Sequence, residues 1–122
     1  MHGLHLIADL RDCAASAPLS DREALRSLCL RAVADSGLTM VGELFHPFVD
    51  AHGQAQGVTG VVLLAESHLA IHTWPELRAV TADVYVCNFG ADNSARAEAL
   101  MARLTETFAP EATTLRRVVR GR

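Results

Sequence analysis

The reactive side chains concentrate between residues 57 and 87, in Glu66-Ser67-His68, then Ile71-His72-Thr73-Trp74-Pro75-Glu76, and finally Cys87. Two familiar chemistries can be tested against this spacing. On a helix, His68 and His72 would share one face, as a zinc site needs. The flanking Val and Leu residues and the stop at Pro75 instead favour a strand. Residues four apart on a strand lie ~13 Å from each other, too far to hold one ion, so no metal is expected. Glu66, Ser67 and His68 are contiguous, and strand neighbours point to opposite faces, so they cannot form a serine-hydrolase relay. No G-x-S-x-G turn surrounds Ser67 either. Taken singly, Ser67 reads as a packed or hydrated serine, His72 as a hydrogen-bonded interior histidine and Cys87 as a buried strand cysteine.

Composition narrows the chemistry. All 11 basic residues are Arg, with no Lys. That excludes the internal lysine Schiff base of ordinary pyridoxal-phosphate enzymes and the lysine of a P-loop. The 122 residues suit one domain, 1–122, and 50% hydrophobic against 20% charged residues excludes general disorder. A net charge of -3 argues against a nucleic-acid partner. No apolar run reaches ~18 residues, so no membrane span is expected, and the first residues lack a signal-peptide pattern. The expected location is the cytoplasm. Three widely spaced cysteines make no disulfide framework, and Cys13 and Cys29 read as structural.

The elements that must position these groups follow from periodicity. Residues 3–10 read as a strand and 13–19 as a loop. Ser20 and Glu23 have capping-box spacing, and Leu25, Leu28, Cys29, Ala32 and Val33 recur at helical intervals before Gly37. Residues 38–45 return to strand, 49–56 form a polar loop, and 58–64, 66–74 and 80–86 have β character. Asp92 or Asn93 can cap a second helix burying Ala97, Leu100, Met101, Leu104 and Phe108; Pro110 ends it. Residues 113–119 make a last strand, with Arg116, Arg117, Arg120 and Arg122 as a solvated edge that discourages further pairing. The order is β-α-β, two or more central strands, then β-α-β. The expected class is α+β: a two-layer α/β sandwich with a mainly antiparallel sheet and two helices on one face. The other face would be partly apolar and need a cover, which predicts a homodimer of four layers.

The run Glu66-Ser67-His68 with Ile71 to Glu76 resembles the processing and active-site region of the bacterial S-adenosylmethionine decarboxylase family, the small pyruvoyl-dependent class. Gly3-Leu4-His5-Leu6 with Cys13, and Phe45-His46-Pro47-Phe48, have family counterparts too. The resemblance implies self-cleavage between Glu66 and Ser67 into a β chain, 1–66, and an α chain, 67–122. Ser67 would become a covalent pyruvoyl group, derived from pyruvate, that forms a Schiff base with the substrate amine. This agrees with the absent lysine. It also implies that His72 assists elimination during processing and that Cys87 is the general acid that returns a proton to Cα. A thiol can serve in that way near neutral pH when its surroundings tune it.

The resemblance further assigns Phe48 to stacking on adenine, with cation–π attraction to the sulfonium, and Glu76 to the ribose hydroxyls. Thr59 stands where better-known members have a serine that aids processing; it keeps the hydroxyl but stiffens χ1. The implied activity is decarboxylation of S-adenosylmethionine for polyamine (spermidine) synthesis. Relatives with the same pyruvoyl machinery decarboxylate ornithine or arginine, and an uncleaved, non-catalytic partner subunit is the reading from another class.

Overall fold

A computed structural model describes residues 2–121, leaving Arg122 of the expected basic edge outside the described residues. The chain runs β1 (His2–Cys13), a one-turn helix α1 (Ala17–Ser20), α2 (Arg22–Ser36), β2 (Met40–Val49), β3 (Ala55–Leu64) and β4 (Ser67–Trp74). A 3-10 turn (Pro75–Leu77), β5 (Ala79–Cys87), α3 (Ser94–Phe108) and β6 (Pro110–Gly121) complete it. The strands form one sheet in the order β2-β3-β4-β5-β1-β6, and every pairing is antiparallel.

Pleating decides which residues are buried. Leu4, Leu6, Ala8 and Leu10 of β1, Val58 and Val62 of β3, Leu69 and Ile71 of β4, and Val80, Val84 and Val86 of β5 are all buried on one face. Leu25, Cys29, Ala32 and Val33 of α2, and Ala97, Leu100, Met101, Leu104 and Phe108 of α3, complete that core. Each fully buried Leu contributes ~1.5–3 kcal/mol. The opposite face carries Leu44, Leu63, Trp74 and Val118, which remain well exposed. The expected two-layer α+β arrangement is what forms.

Local chemistry differs from expectation in three places. Ser20 does not cap α2, because the short helix α1, with Pro18 in its first turn, runs from Ala17 and ends on Ser20. Asp21, extended between the two helices, takes the cap and accepts hydrogen bonds from the backbone N–H groups of Glu23 (3.0 Å) and Ala24 (3.4 Å). The helix α3 ends at Phe108, two residues before Pro110: Ala109 is left-handed (φ 48°) and Pro110 opens β6. β3 begins at Ala55, because Asp50 accepts hydrogen bonds from the N–H groups of His52 and Gln54 and tightens the loop. Gly37 does close α2 in the left-handed conformation, as its spacing implies.

Buried polar links hold the layers in register. Thr73 is 4% exposed; its hydroxyl donates to the Leu19 carbonyl (2.7 Å) and accepts from the Val58 N–H (2.9 Å). The Arg78 guanidinium donates twice to the Cys13 carbonyl, at 3.0 and 2.8 Å, tying the end of β1 to the β4–β5 connection. Cys13 and Cys29 are fully buried, and burial raises both thiols, Cys29 up to about 12.

Thr73→Val keeps the shape but strands two buried backbone groups, so urea denaturation should show a loss of about 1–3 kcal/mol, with Thr73→Ser close to wild type. Cys29 should resist alkylation by iodoacetamide at about pH 8 in the native protein and react only on unfolding, which peptide mass mapping reads directly.

Candidate active site

β4 carries Ser67 at its first residue and His72 near its last, so the two lie ~17 Å apart along an extended strand. His68, His72 and Trp74 are on the open face, alternating with buried Leu69, Ile71 and Thr73. His68 and His72 therefore follow strand geometry, as their surroundings imply. The expected site residues fall into two groups at opposite ends of this strand.

The first group surrounds a cavity of about 340 Å³ lined by Phe48, Gln56, Gly57, Thr59, His72, Thr73, Trp74 and Glu76. Thr59 and His72 are register partners across β3 and β4, and Thr59 Oγ1 and His72 Nδ1 share a hydrogen bond of 3.0 Å. The His72 ring also packs against Trp74, with centroids 5.9 Å apart. A bulge between Pro47 and Val49 takes Phe48 out of the ladder, and its ring meets His46 edge-on at 4.8 Å. Glu76 enters from the 3-10 turn that Pro75 begins. Gly57 is obligatory: a Cβ there would stand 2.0 Å from the Thr73 carbonyl oxygen.

The second group is Glu66, Ser67 and Cys87. Glu66 lies in the exposed β3–β4 turn with φ 56°, a left-handed conformation that costs a non-glycine residue ~1–2 kcal/mol. Ser67 Oγ accepts a hydrogen bond from the Cys87 N–H at 3.1 Å. Cys87 Sγ in turn accepts from the Phe89 N–H at 3.4 Å, and the Cys87 carbonyl accepts from the Asn93 amide at 2.9 Å. Asn88 accepts from the Asn93 N–H and donates to Ser94, closing the loop that leads into α3. Cys87 retains 8% exposure, against none for Cys13 and Cys29.

Three positions escaped the reading by residue type. Trp74 is a cavity wall; its alternation with Thr73 on β4 was the available signal. Gln56 lines the cavity from a segment that reads as loop. Asn93 holds the Cys87 backbone, which its position as a helix cap does not reveal.

Comparison with known proteins identifies the family. A sequence model of the S-adenosylmethionine decarboxylase family matches residues 4–121. The S-adenosylmethionine decarboxylase proenzyme of Symbiobacterium thermophilum is 40% identical over 103 residues, spanning 84% of this chain and 74% of its own. That of Thermoplasma volcanium is 37% identical over 119 residues, 98% of this chain and 84% of its own. The crystal structure of the adenosylmethionine decarboxylase from Aquifex aeolicus superimposes with a TM-score of 0.84 at 34% identity, covering 98% of this chain and 90% of the other. The crystal structure of the Trypanosoma brucei AdoMetDC-delta26 monomer, at 14% identity and TM-score 0.53 over 93% of this chain and 44% of the other, shares the fold. With the family model spanning nearly the whole chain and relatives this similar over most of it, the chain belongs to the S-adenosylmethionine decarboxylase family.

Proposed function

We propose that this chain is a cytoplasmic, pyruvoyl-dependent decarboxylase of S-adenosylmethionine serving polyamine synthesis, acting as a homodimer after cutting itself between Glu66 and Ser67. The observation that carries this is the joining of Ser67 and Cys87 by one hydrogen bond, directly after a left-handed Glu66, in a lysine-free member of this family. Three unpaired thiols suit a reducing compartment. Among the described residues no helix is long and apolar enough to cross a membrane.

Ser67 is suited to become the pyruvoyl group. Its Oγ attacks the Glu66 carbonyl carbon while the peptide C–N bond breaks, giving an ester and a free amine. Loss of the Cα proton and rupture of the Cβ–Oγ bond release residues 1–66 with Oγ in the new carboxylate. Water then replaces the nitrogen, which leaves as ammonia. Cutting beside Glu66 also relieves its left-handed backbone. Once formed, the group supplies a ketone that engages the substrate amine and accepts the electrons left behind by carbon dioxide.

The remaining residues bind and move protons. The aromatic walls Phe48 and Trp74 suit a flat base and a sulfonium, and the Glu76 carboxylate suits ribose hydroxyls. Cys87 is suited to return a proton to the substrate Cα, and the hydrogen bond from its backbone N–H to Ser67 Oγ, the residue that would carry the substrate, supports that role. His72 is ~17 Å from Ser67 of its own chain, so its part in processing requires Ser67 of a second copy. A dimer formed over the open face supplies that copy and covers the exposed Leu44, Leu63 and Val118.

Intact mass spectrometry after reductive trapping tests the reading. Two fragments are expected, with an adduct on 67–122 from S-adenosylmethionine but none from ornithine or arginine. An adduct from either amino acid alone would reassign the substrate, and an uncut chain would favour a non-catalytic partner subunit. Ser67→Ala should stay in one piece and be inactive. Cys87→Ala should still cleave while its product formation falls ~100–10,000-fold. Coexpression of Ser67→Ala with His72→Ala chains should restore cleavage of the His72→Ala chain, since one mixed site keeps both native groups.

A further inference from the structure

Outside the two groups, the open face carries a row of rings that the chemistry above leaves unused. His68, Tyr85 and His5 are register partners across β4, β5 and β1. The His68 and Tyr85 rings are 5.8 Å apart and tilted by 32°; His5 meets Tyr85 edge-on at 6.1 Å and His68 edge-on at 6.4 Å. The Arg120 guanidinium of β6 lies over the Tyr85 ring at 5.4 Å. Gly3 is the seat of that ring, since a Cβ there would stand 2.7 Å from the Tyr85 oxygen. The row therefore spans four neighbouring strands.

Its position matters more than its size. His68 directly follows Ser67, and Tyr85 is two residues before Cys87 on the same face. One ring contact thus couples the backbone that carries residue 67 to the backbone that carries the thiol. While the chain is intact, the β3–β4 turn also restrains residue 67. Cleavage at Glu66 removes the turn and makes residue 67 a chain end, where strands fray first. A reacting group must nevertheless be held closely, because ~1 Å of misplacement can cost ~100-fold in rate.

We infer that the His5–Tyr85–His68 row is a brace that keeps residue 67 in register with Cys87 after the chain has been cut, with His68 as a positioning residue. The inference rests on the self-cleavage reading above. The His68 imidazole acts as a packed ring: burial, then the neighbouring His5, holds its pKa below the usual histidine value, so it is neutral at physiological pH. Aromatic pairs of this geometry add ~0.5–1.5 kcal/mol beyond their burial, enough to bias a fraying end toward the ordered state.

The test compares His68→Ala and His68→Phe, each first scored for self-cleavage by intact mass, so that an uncut wild-type chain would fail the underlying reading separately. Expected is a cleaved His68→Ala protein whose kcat falls roughly 10–100-fold while KM changes little. His68→Phe, which keeps a ring but cannot titrate, should recover most of the rate. Wild-type kcat in His68→Ala, or equal loss in both variants, would overturn the brace. Hydrogen exchange on the wild type gives a second reading that needs no His68 variant to fold. Amides of residues 68–70 should be as protected in the cleaved enzyme as in uncut Ser67→Ala, and loss of that protection on cleavage would overturn the brace.

Discussion

Successive side chains of β4 point to opposite faces of the sheet, and most of what this protein can do follows from that alternation. Leu69, Ile71 and Thr73 go into the core beneath α2 and α3, so His68, His72 and Trp74 must face the other way. Because both long helices lie on the same side, that other face stays open. The same strand that supplies core also supplies the reactive surface. Neither duty can be shifted by one residue without exchanging the two sets of side chains.

The candidate site residues are divided by distance along β4. At one end the register pair Thr59 and His72 shares a hydrogen bond beside a cavity that two aromatic rings and a carboxylate enclose. At the other end Ser67 meets the N–H of Cys87, and Asn88 and Asn93 stiffen the loop behind the thiol. A rigid extended strand separates the two ends, so no side-chain rotation within one copy brings His72 to Ser67. A covering second copy therefore serves chemistry as well as burial in the proposed assembly.

Much of this architecture is legible in residue order. The alternation in β3, β4 and β5, the buried faces of α2 and α3, and the close of α2 at Gly37 follow from period and from glycine's tolerance of positive φ. The start of α2 is less legible. Ser20 and Asp21 are both good caps, and the choice fell to Asp21 only because the short helix α1, with Pro18 in its first turn, ends on Ser20. Likewise β6 extends beyond its recognisable core, because pairing along β1 carries it from Pro110 to Gly121 whatever its own β propensity.

The residue types alone determined that lysine chemistry is absent, that His68 and His72 sit on a strand, and which family the run from Glu66 to Glu76 resembles. These are properties of composition and of local period, and a linear chain displays both. Only the tertiary structure decided that the candidate site residues separate into two groups, and that Trp74 and Gln56 join the first of them. It also decided that His5, Tyr85 and His68 form one row across three strands. Strand order and register set those neighbours, and they arise from contacts between segments as distant in the chain as His5 and Tyr85, which no local pattern encodes.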